Sequence, residues 1–273
     1  MELRKSIEKA KKMRQRVKHL VFNNALSQGT SEEEAEWISL ARCEIQCVEL
    51  DREKASENRC VCILPDAPEL ELYKVLRAQI QRRCKENGWN TVMITSALPG
   101  EGKTLTSINL ALTFAKEFAR AVLLVDCDLK RQSVYKYLSF STDRGMIDNL
   151  VDDVPLEDLI IWPGVEKLSV ISGGRAVYNS TELLSSSKMS DAIVEMKKLY
   201  NDRYVFFDAP PILSGADAIA FSPLVDCILM VVQAEKTTSQ EIRNALEMIP
   251  KDKFLGFVLN RQSSSFNGYY SRN

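Results

Sequence analysis

The chain has 273 residues, of which 45% are hydrophobic and 27% charged, and its formal net charge is −1. This composition is ordinary for a globular protein, and a net charge near zero argues against general affinity for nucleic acid. No apolar run approaches the roughly 20 residues of a membrane-spanning helix, and the N-terminus lacks an apolar signal core, so we expect a cytoplasmic protein.

Seven cysteines are scattered along the chain, and His19 is the single histidine. The pairs Cys43/Cys47 and Cys60/Cys62 lack the two-residue gap of a zinc knuckle. We therefore expect reduced, structural thiols. A nucleophile activated by histidine is also poorly supported, because His19 lies in the N-terminal region.

The N-terminal region predicts a helical arm. Residues 1–21 place apolar side chains at steps of three and four and lysines and arginines on the opposite face. This face either is solvated while the helix packs on the next one, or binds an acidic partner or an anionic membrane surface. A capping box formed by Ser31 and Glu34 predicts a second, acidic helix towards Glu49, and Asp51–Pro68 is interpreted as a linker.

The segment Glu69–Arg83 predicts a helix with an apolar stripe, and Asn87 and Gly88 are typical of its end. Glu71, Lys74 and Arg77 follow one another at intervals of three residues. Side chains with this spacing lie on one face of a helix.

The stretch TVMITSALPGEGKT (91–104) predicts a buried strand, a glycine-containing loop and the start of a helix. Backbone N–H groups near Gly100 and Gly102 would surround phosphate oxygens, and the helix N-terminus adds positive charge. Lys103 would reach the terminal phosphates, and Thr104 would offer a hydroxyl to Mg²⁺. Ala97 stands where the common motif has its first glycine. The nucleotide-binding residues predicted here are Pro99, Gly100, Glu101, Gly102, Lys103, Thr104 and Leu105.

Acidic residues follow two further predicted strands. Ala121–Val125 precedes Asp126 and Asp128, and the strand in YVFFDAPP ends at Asp208. Carboxylates at strand ends beside a phosphate-binding loop are suited to Mg²⁺ coordination and to deprotonating a nucleophile. We expect Asp126 to be the base, and Asp128 and Asp208 to hold Mg²⁺ with Thr104, directly or through water.

Further strands are predicted at 168–172, 227–233 and 254–259, with helices at 179–200 and 239–248. Continuously apolar strands that alternate with helices predict an α/β fold with a mostly parallel, doubly wound sheet, preceded by the helical arm. Asn260 after the last strand either binds a base edge or caps a turn, and Arg261 is placed with it at the nucleotide site. The domain boundaries predicted are 1–65 for arm and linker, 66–260 for the P-loop domain and 261–273 for a flexible tail. Tyr269 and Tyr270 lie in that tail.

The motifs ALPGEGKT, VLLVDCDLKR, NSTELLSSSKM, YVFFDAPPIL and FLGFVLNR together resemble the bacterial tyrosine kinases that control exopolysaccharide synthesis and chain length. This family is similar to the MinD/ParA branch of P-loop ATPases, whose additional lysine is replaced here by Leu98. The resemblance covers about residues 69–270 and implies ATP and Mg²⁺ as cofactors and phosphorylation of the tail tyrosines, Tyr269 and Tyr270, between neighbouring subunits.

The resemblance also implies partners. A helix of pattern E-x-x-R-x-x-R builds ring-like oligomers in the family, and Glu71, Lys74 and Arg77 match it with lysine for the first arginine. A membrane-anchored polysaccharide co-polymerase would activate the kinase and recruit it to the inner face of the cell membrane, and no nucleic acid is expected. Lys130 stands where the family usually has arginine, and Gln132 where it often has proline.

Two functions of different classes fit the sequence. One is an autophosphorylating protein-tyrosine kinase that regulates polysaccharide polymerisation or export. The other is a MinD-like ATPase switch that hydrolyses ATP and phosphorylates no protein. The tail tyrosines favour the kinase, whereas Lys130 and the missing activator segment are compatible with the switch.

Overall fold

The computed structural model describes residues 46–48, 50–117, 121–199 and 203–262. The predicted N-terminal hairpin and the tail tyrosines, Tyr269 and Tyr270, lie outside the described residues.

Within the described residues, eight strands form one sheet in the order β1-β4-β5-β3-β6-β2-β7-β8. All neighbouring strands are parallel except the β4–β5 pair, which is antiparallel. The mostly parallel α/β fold predicted from the sequence is confirmed. The strands are β1 (Gln46–Cys47), β2 (Thr91–Ser96), β3 (Val122–Asp126), β4 (Ile161–Trp162), β5 (Leu168–Ile171), β6 (Tyr204–Asp208), β7 (Cys227–Gln233) and β8 (Phe254–Asn260).

Helices cover both faces of the sheet, as continuously apolar parallel strands require. The α-helices are α1 (Arg52–Glu57), α2 (Glu69–Asn87), α3 (Lys103–Ala115), α4 (Val134–Tyr137), α5 (Met146–Asp152), α6 (Ser180–Leu184), α7 (Ser187–Leu199), α8 (Asp217–Phe221) and α9 (Ser239–Glu247). Short 3-10 helices lie at Val61–Ile63, Leu156–Leu159, Ile212–Ser214, Ser222–Leu224 and Lys251–Lys253.

The core has two layers because successive side chains of a strand point to opposite faces. On β2, Val92 and Ile94 pack in the layer that contains residues of α2 and α3. Met93 packs in the other layer, with residues of α5, α7, α8 and α9. The P-loop strand is therefore buried on both sides, which fixes the position of the loop that follows it.

The predicted linker 51–68 is instead part of the folded domain. Asp51 caps helix α1 by accepting from the Lys54 N–H, and the side chains of Ala55, Cys60 and Cys62 are fully buried. Cys62 is also held through its backbone N–H, which donates to Asn109 on α3 at 2.9 Å. The domain boundary predicted at residue 66 is therefore too late. The sequence of this segment did not predict its packing, because its apolar residues are scattered among polar ones and show no helical or strand periodicity.

Two other predicted helices can be compared with the structure. The helix predicted at 179–200 is divided into α6 and α7, because the hydroxyls of Ser185 and Ser186 donate to carbonyls of α6 and interrupt the helix. Helix α2 extends beyond the segment Glu69–Arg83 to Asn87, and Gly88, with a left-handed φ of 70°, caps it, as the sequence predicts.

Candidate nucleotide and phosphotransfer site

The loop between β2 and α3 has the backbone of a phosphate-binding loop. Gly100 and Gly102 have φ angles of 83° and 96°, which residues with a side chain rarely adopt. A Cβ atom on Gly102 would also lie 2.2 Å from the Asn260 amide nitrogen. The conformation at position 102 therefore favours glycine, and a side chain there would also displace the Asn260 amide.

Glu101 points into the protein rather than towards a nucleotide. Its side-chain carboxylate accepts from the Leu98 N–H at 2.7 Å, from the Gln233 N–H at 3.3 Å and from the Thr237 hydroxyl. The residue is 2% exposed. Its side chain ties the P-loop to the end of β7, so the predicted contact with nucleotide is left to its backbone.

Asn260 makes the contacts of a turn cap, which is one of the two roles that the sequence left open for it. Its side-chain nitrogen donates to the Glu101 carbonyl at 2.7 Å, and its side-chain oxygen accepts from the Arg261 N–H at 2.9 Å. This arrangement is a turn cap that braces the P-loop. Arg261 lies at the cavity wall, and its contact with a nucleotide stays a prediction.

Lys103, Thr104, Asp128 and Asp208 converge at the carboxyl ends of β2, β3 and β6. The Lys103 ammonium lies 2.9 Å from Asp128 and 3.6 Å from Asp208. The Thr104 hydroxyl donates to Asp208 at 2.6 Å, and the Ser107 hydroxyl donates to its other oxygen at 3.2 Å. Ser107 was not predicted, although it lies one helical turn after Lys103.

Burial and the neighbouring charges shift the pKa values of Lys103 and Asp208. Burial alone would lower the pKa of Lys103, but the negative charges of Asp208 and Asp128 outweigh it and raise that pKa. Burial is also the main reason that the pKa of Asp208 is raised, against the opposing effect of Lys103. Lys103 is therefore a fixed cation at neutral pH.

Asp126 is enclosed beneath the loop that follows β3. One oxygen of its side chain accepts from the Asp128 N–H at 3.1 Å, and the other accepts from the N–H groups of Ser133 and Val134 at 2.9 and 3.1 Å. Burial, together with the charge of Asp208, raises the pKa of Asp126 to about 7. The described residues that line the cavity include Asp128 but not Asp126. The sequence predicted Asp126 as the base, whereas of Asp126 and Asp128 it is Asp128 that lines the cavity.

The cavity beside this cluster has a volume of about 390 Å³. Its wall comprises Pro99, Gly100, Gly102, Lys103, Thr104, Leu105, Asp128, Lys130, Arg131, Ser133, Tyr137, Pro210, Pro211, Ser214, Gly215, Asp217 and Arg261. The volume and the P-loop suit a nucleotide, and the hydroxyl of Thr104 with the carboxylates of Asp128 and Asp208 are the oxygen ligands that Mg²⁺ prefers. In the described part of the chain, no three Asp, Glu, His or Cys side chains form a metal site by themselves. Mg²⁺ usually takes one or two carboxylates from a protein and completes its shell with phosphate and water.

Asp217 and Lys130 form a second charged group at the cavity wall. The Lys130 ammonium lies 3.0 and 3.1 Å from the two oxygens of Asp217. The hydroxyl of Ser180 donates to Asp217 at 2.7 Å, and the hydroxyl of Thr181 donates to it as well. The sequence gave no reason to select Asp217, which is 87 residues from Lys130.

The three residues predicted to join neighbouring subunits all have contacts within the chain. The Lys74 ammonium lies 2.6 Å from the Glu71 carboxylate. The Arg77 guanidinium donates to the Thr113 carbonyl of α3 at 2.7 Å, so Arg77 packs against the domain. Glu71 and Lys74 remain accessible on the surface of α2, and assembly through this helix stays a prediction.

None of the described helices is both long and apolar enough to cross a membrane.

Residues 90–253 match the model of a family described as an AAA domain. The chain is 33% identical over 211 residues to the tyrosine-protein kinase YwqD of Bacillus subtilis, and this match covers 76% of the chain and 88% of that protein. It is 31% identical over 202 residues to the tyrosine-protein kinase ptk of Acinetobacter johnsonii, where the match covers 73% of the chain but 27% of that longer protein.

Solved structures show the same relationship. The chimerical protein CapA2B2 superimposes with a TM-score of 0.68 at 26% identity, over 85% of this chain and 99% of that one. The kinase domain of the Escherichia coli tyrosine kinase ETK gives a TM-score of 0.66 at 26% identity, over 76% and 82% of the two chains. The septum site-determining protein MinD of Pyrococcus horikoshii, complexed with Mg-ADP, has a TM-score of 0.54 at 24% identity, over 65% and 72%, and shares the fold.

Proposed function

Because the chain belongs to the AAA-domain family of P-loop proteins and, within it, to the bacterial tyrosine-protein kinases, we propose that it transfers the terminal phosphate of ATP to tyrosine residues of the same protein. The observation that carries the proposal is the convergence of Lys103, Thr104, Asp128 and Asp208 at one edge of the sheet, beside a cavity of nucleotide size.

The residues of the P-loop would bind the phosphates. N–H groups of the loop and of the first turn of α3 supply donors and partial positive charge, and Lys103 supplies a full charge. Lys103 is held by Asp128 and Asp208, so its long side chain is already ordered before ATP binds. When bound, Mg²⁺ would neutralise phosphate charge, with Thr104 and Asp208 as the residues that hold it.

The transfer itself is an in-line displacement. The tyrosine hydroxyl oxygen forms a bond to the terminal phosphorus, the bond from that phosphorus to the bridging oxygen breaks, and ADP leaves with the electron pair. The hydroxyl proton must go to a nearby carboxylate. We assign it to Asp128, which lines the cavity, in place of the Asp126 predicted from the sequence, because Asp126 is enclosed by three backbone N–H groups.

The biological role proposed is regulation of exopolysaccharide synthesis, chain length or export. It rests on the resemblance of the five sequence motifs to kinases of that type. The same resemblance supports a membrane-anchored co-polymerase as activator, recruitment of the kinase to the inner face of the membrane, and a homo-oligomer.

The alternative is an ATPase switch, which the fold shared with MinD favours. The same cluster would then direct water, instead of a tyrosine hydroxyl, at the terminal phosphate. The two functions differ in where the phosphate goes.

The test is incubation of the purified chain with ATP labelled at the terminal phosphate, followed by mapping of phosphotyrosine. We expect label on tyrosine in the parent and a loss of about 100-fold or more in Lys103→Met, since a preorganised charge at the reacting phosphate is commonly worth that much. Free labelled phosphate without phosphotyrosine would support the switch and overturn the kinase. Equal labelling of parent and Lys103→Met would show that the site is elsewhere.

A further inference from the structure

The cavity has two ends, which the order of the strands defines. The P-loop follows β2, and in the sheet β6 and β3 lie on one side of β2 whereas β7 and β8 lie on the other. Arg261 enters the cavity wall from the β8 side, and Lys130 enters it from the loop after β3. Asp217 follows β6 on the same side as Lys130.

The transferring phosphate belongs on the side of β3 and β6. Lys103 is held there by Asp128, which follows β3, and by Asp208, the last residue of β6. A nucleotide whose terminal phosphate lies at Lys103 leaves the wall formed by Lys130 and Asp217 to whatever approaches that phosphate. We call this wall the acceptor end of the cavity.

Asp217 holds Lys130 in one position although the side chain of Lys130 is partly exposed. Its side chain is 47% exposed, and an exposed lysine normally keeps its rotamer freedom. Here the ammonium contacts both oxygens of Asp217, whose side chain is 5% exposed. An ammonium has three donors, so one remains for a group in the cavity that both residues line.

Asp217 is itself fixed from the other side. The hydroxyls of Ser180 and Thr181, at the start of α6, donate to its two oxygens. Burial works against the charge of Asp217, but these hydroxyls and Lys130 outweigh it and lower the pKa of Asp217 below its usual value. The Asp217 carboxylate is therefore charged and held in one position, and it holds the Lys130 ammonium in turn.

We propose that Asp217 is a positioning residue for phosphotransfer, which holds the Lys130 ammonium at the acceptor end where it contacts the incoming tyrosine or the phosphate passing to it. The inference rests on the proposed kinase function. It assigns the pair to the acceptor and not to ATP binding, because Lys103 and the P-loop already provide the contacts to the nucleotide phosphates.

The test uses full-length variants and, as acceptor, tagged full-length Lys103→Met protein, at saturating Mg·ATP. Lys130→Met is the main variant because the side chain is half-exposed and Asp217 keeps its bonds to Ser180 and Thr181, so we expect the fold to tolerate it. We expect kcat/KM for acceptor labelling to fall about 10-fold or more, which is typical of losing a charged hydrogen bond. Lys130→Arg should stay within about 3-fold of the parent, because it keeps the cation.

Asp217→Asn should reduce acceptor labelling to the level of Lys130→Met, and the double variant should be no worse than either single one, since coupled residues are not additive. The dissociation constant of a fluorescent ATP analogue should stay within about 2-fold throughout, because the P-loop is unchanged. Asp153→Asn is the matched control: Asp153 pairs with Lys188 at 2.6 Å away from the cavity.

Three results would overturn the inference. Unchanged labelling by Lys130→Met removes Lys130 from the acceptor end. A defect in Asp217→Asn that Lys130→Met does not share shows that Asp217 only fastens α6. Parallel losses of labelling and ATP binding place the pair at the nucleotide. A parent that binds ATP but labels no tyrosine would instead reject the proposed function, and with it any acceptor end.

Discussion

At the scale of single residues, Asp226 fixes the start of the P-loop strand. Its carboxylate accepts from the N–H groups of Asn90 and Thr91 at 3.0 Å each and from the Lys197 ammonium at 2.6 Å. Burial alone would raise the pKa of Asp226, but these donors outweigh it and lower the pKa below its usual value. The charged form is therefore the one that stabilises the fold.

Asp226→Asn should therefore destabilise the chain in a pH-dependent way. A lowered pKa in the folded state gives stability that is present above the unfolded pKa of about 3.9 and is lost as pH falls through the folded pKa. Urea unfolding at pH 7 should show a loss of about 1–3 kcal/mol, typical of hydrogen bonds to a charged group. The deficit should shrink as the pH is lowered below about 4. A deficit that is constant with pH would mean that shape, not charge, matters at this position.

Asp126→Asn and Asp128→Asn remove the same charge from two different surroundings, so we expect different effects on activity and stability. In Asp128→Asn, a carboxylate that lines the cavity becomes neutral, and phosphotransfer should fall about 100-fold or more. In Asp126→Asn, the new NH₂ group would face a backbone N–H, so the melting temperature should fall as well. Kinetics and thermal melting of both variants check this. A fully active Asp128→Asn protein would return the base to Asp126.

At the scale of elements, strands were predicted well where burial is continuous. The predicted strand Cys227–Gln233 agrees with β7, and the P-loop strand differs by one residue, because apolar runs buried on two faces are visible in sequence. Helix α1 was missed because its six residues are mostly polar and show no apolar periodicity. The burial of Ala55 within it, and of Cys60 just after it, depends on tertiary packing. The same holds for the site: GKT and the strand-end aspartates are local signals, whereas the contact of Lys130 with Asp217 brings together the loop after β3 and the start of α8, which are far apart in sequence.

Helix α2 carries the prediction about assembly. The ion pair of Glu71 and Lys74 is exposed on α2, and Leu72 on the same helix is 59% exposed, so α2 presents both charged and apolar side chains to solvent. The same helix in a neighbouring copy could pair with it head to tail. Arg77 is excluded from the test because its bond to Thr113 serves the fold.

Light scattering should show that a Glu71→Ala and Lys74→Ala double variant forms smaller particles than the parent under conditions where the parent is oligomeric. The exposed pair contributes little to folding, so the melting temperature should stay close to that of the parent. Arg82→Ala with Glu86→Ala, which removes another exposed ion pair of α2, is the control. If particle size is unchanged in the first double variant, α2 is not the interface.

At the scale of the whole molecule, the position of the last strand limits where the tail can reach. From Asn260 at the end of β8 to Tyr269 is nine residues, which span at most about 30 Å. The tail starts beside Arg261, on the β8 side of the cavity, whereas the acceptor end lies on the side of β3. A tail of this length can reach the acceptor end of a neighbouring copy as well as that of its own copy, and the resemblance to the bacterial tyrosine kinases leads us to expect transfer to the neighbouring copy.

Transfer between copies also provides a way to end the reaction. Each phosphate adds about two negative charges at neutral pH, so phosphorylation of both Tyr269 and Tyr270 places about four beside each other. These charges would oppose renewed docking beside Asp128 and Asp208. We therefore expect phosphorylation to loosen the assembly, and light scattering before and after incubation with Mg·ATP would show a decrease in particle size.

The final prediction separates transfer between copies from transfer within one chain. Lys103→Met protein with an intact tail is mixed with active protein that lacks residues 263–273, and labelled ATP is added. Label should appear on Tyr269 or Tyr270 of the inactive partner, because that partner can only receive phosphate. A mixture of two Lys103→Met proteins is the control and should stay unlabelled. If the intact parent labels itself but those tyrosines stay unlabelled in the mixture, transfer occurs within one chain or at other acceptors. Tyr135 and Tyr137 on α4 would then be mapped first, since Tyr137 lies at the cavity wall.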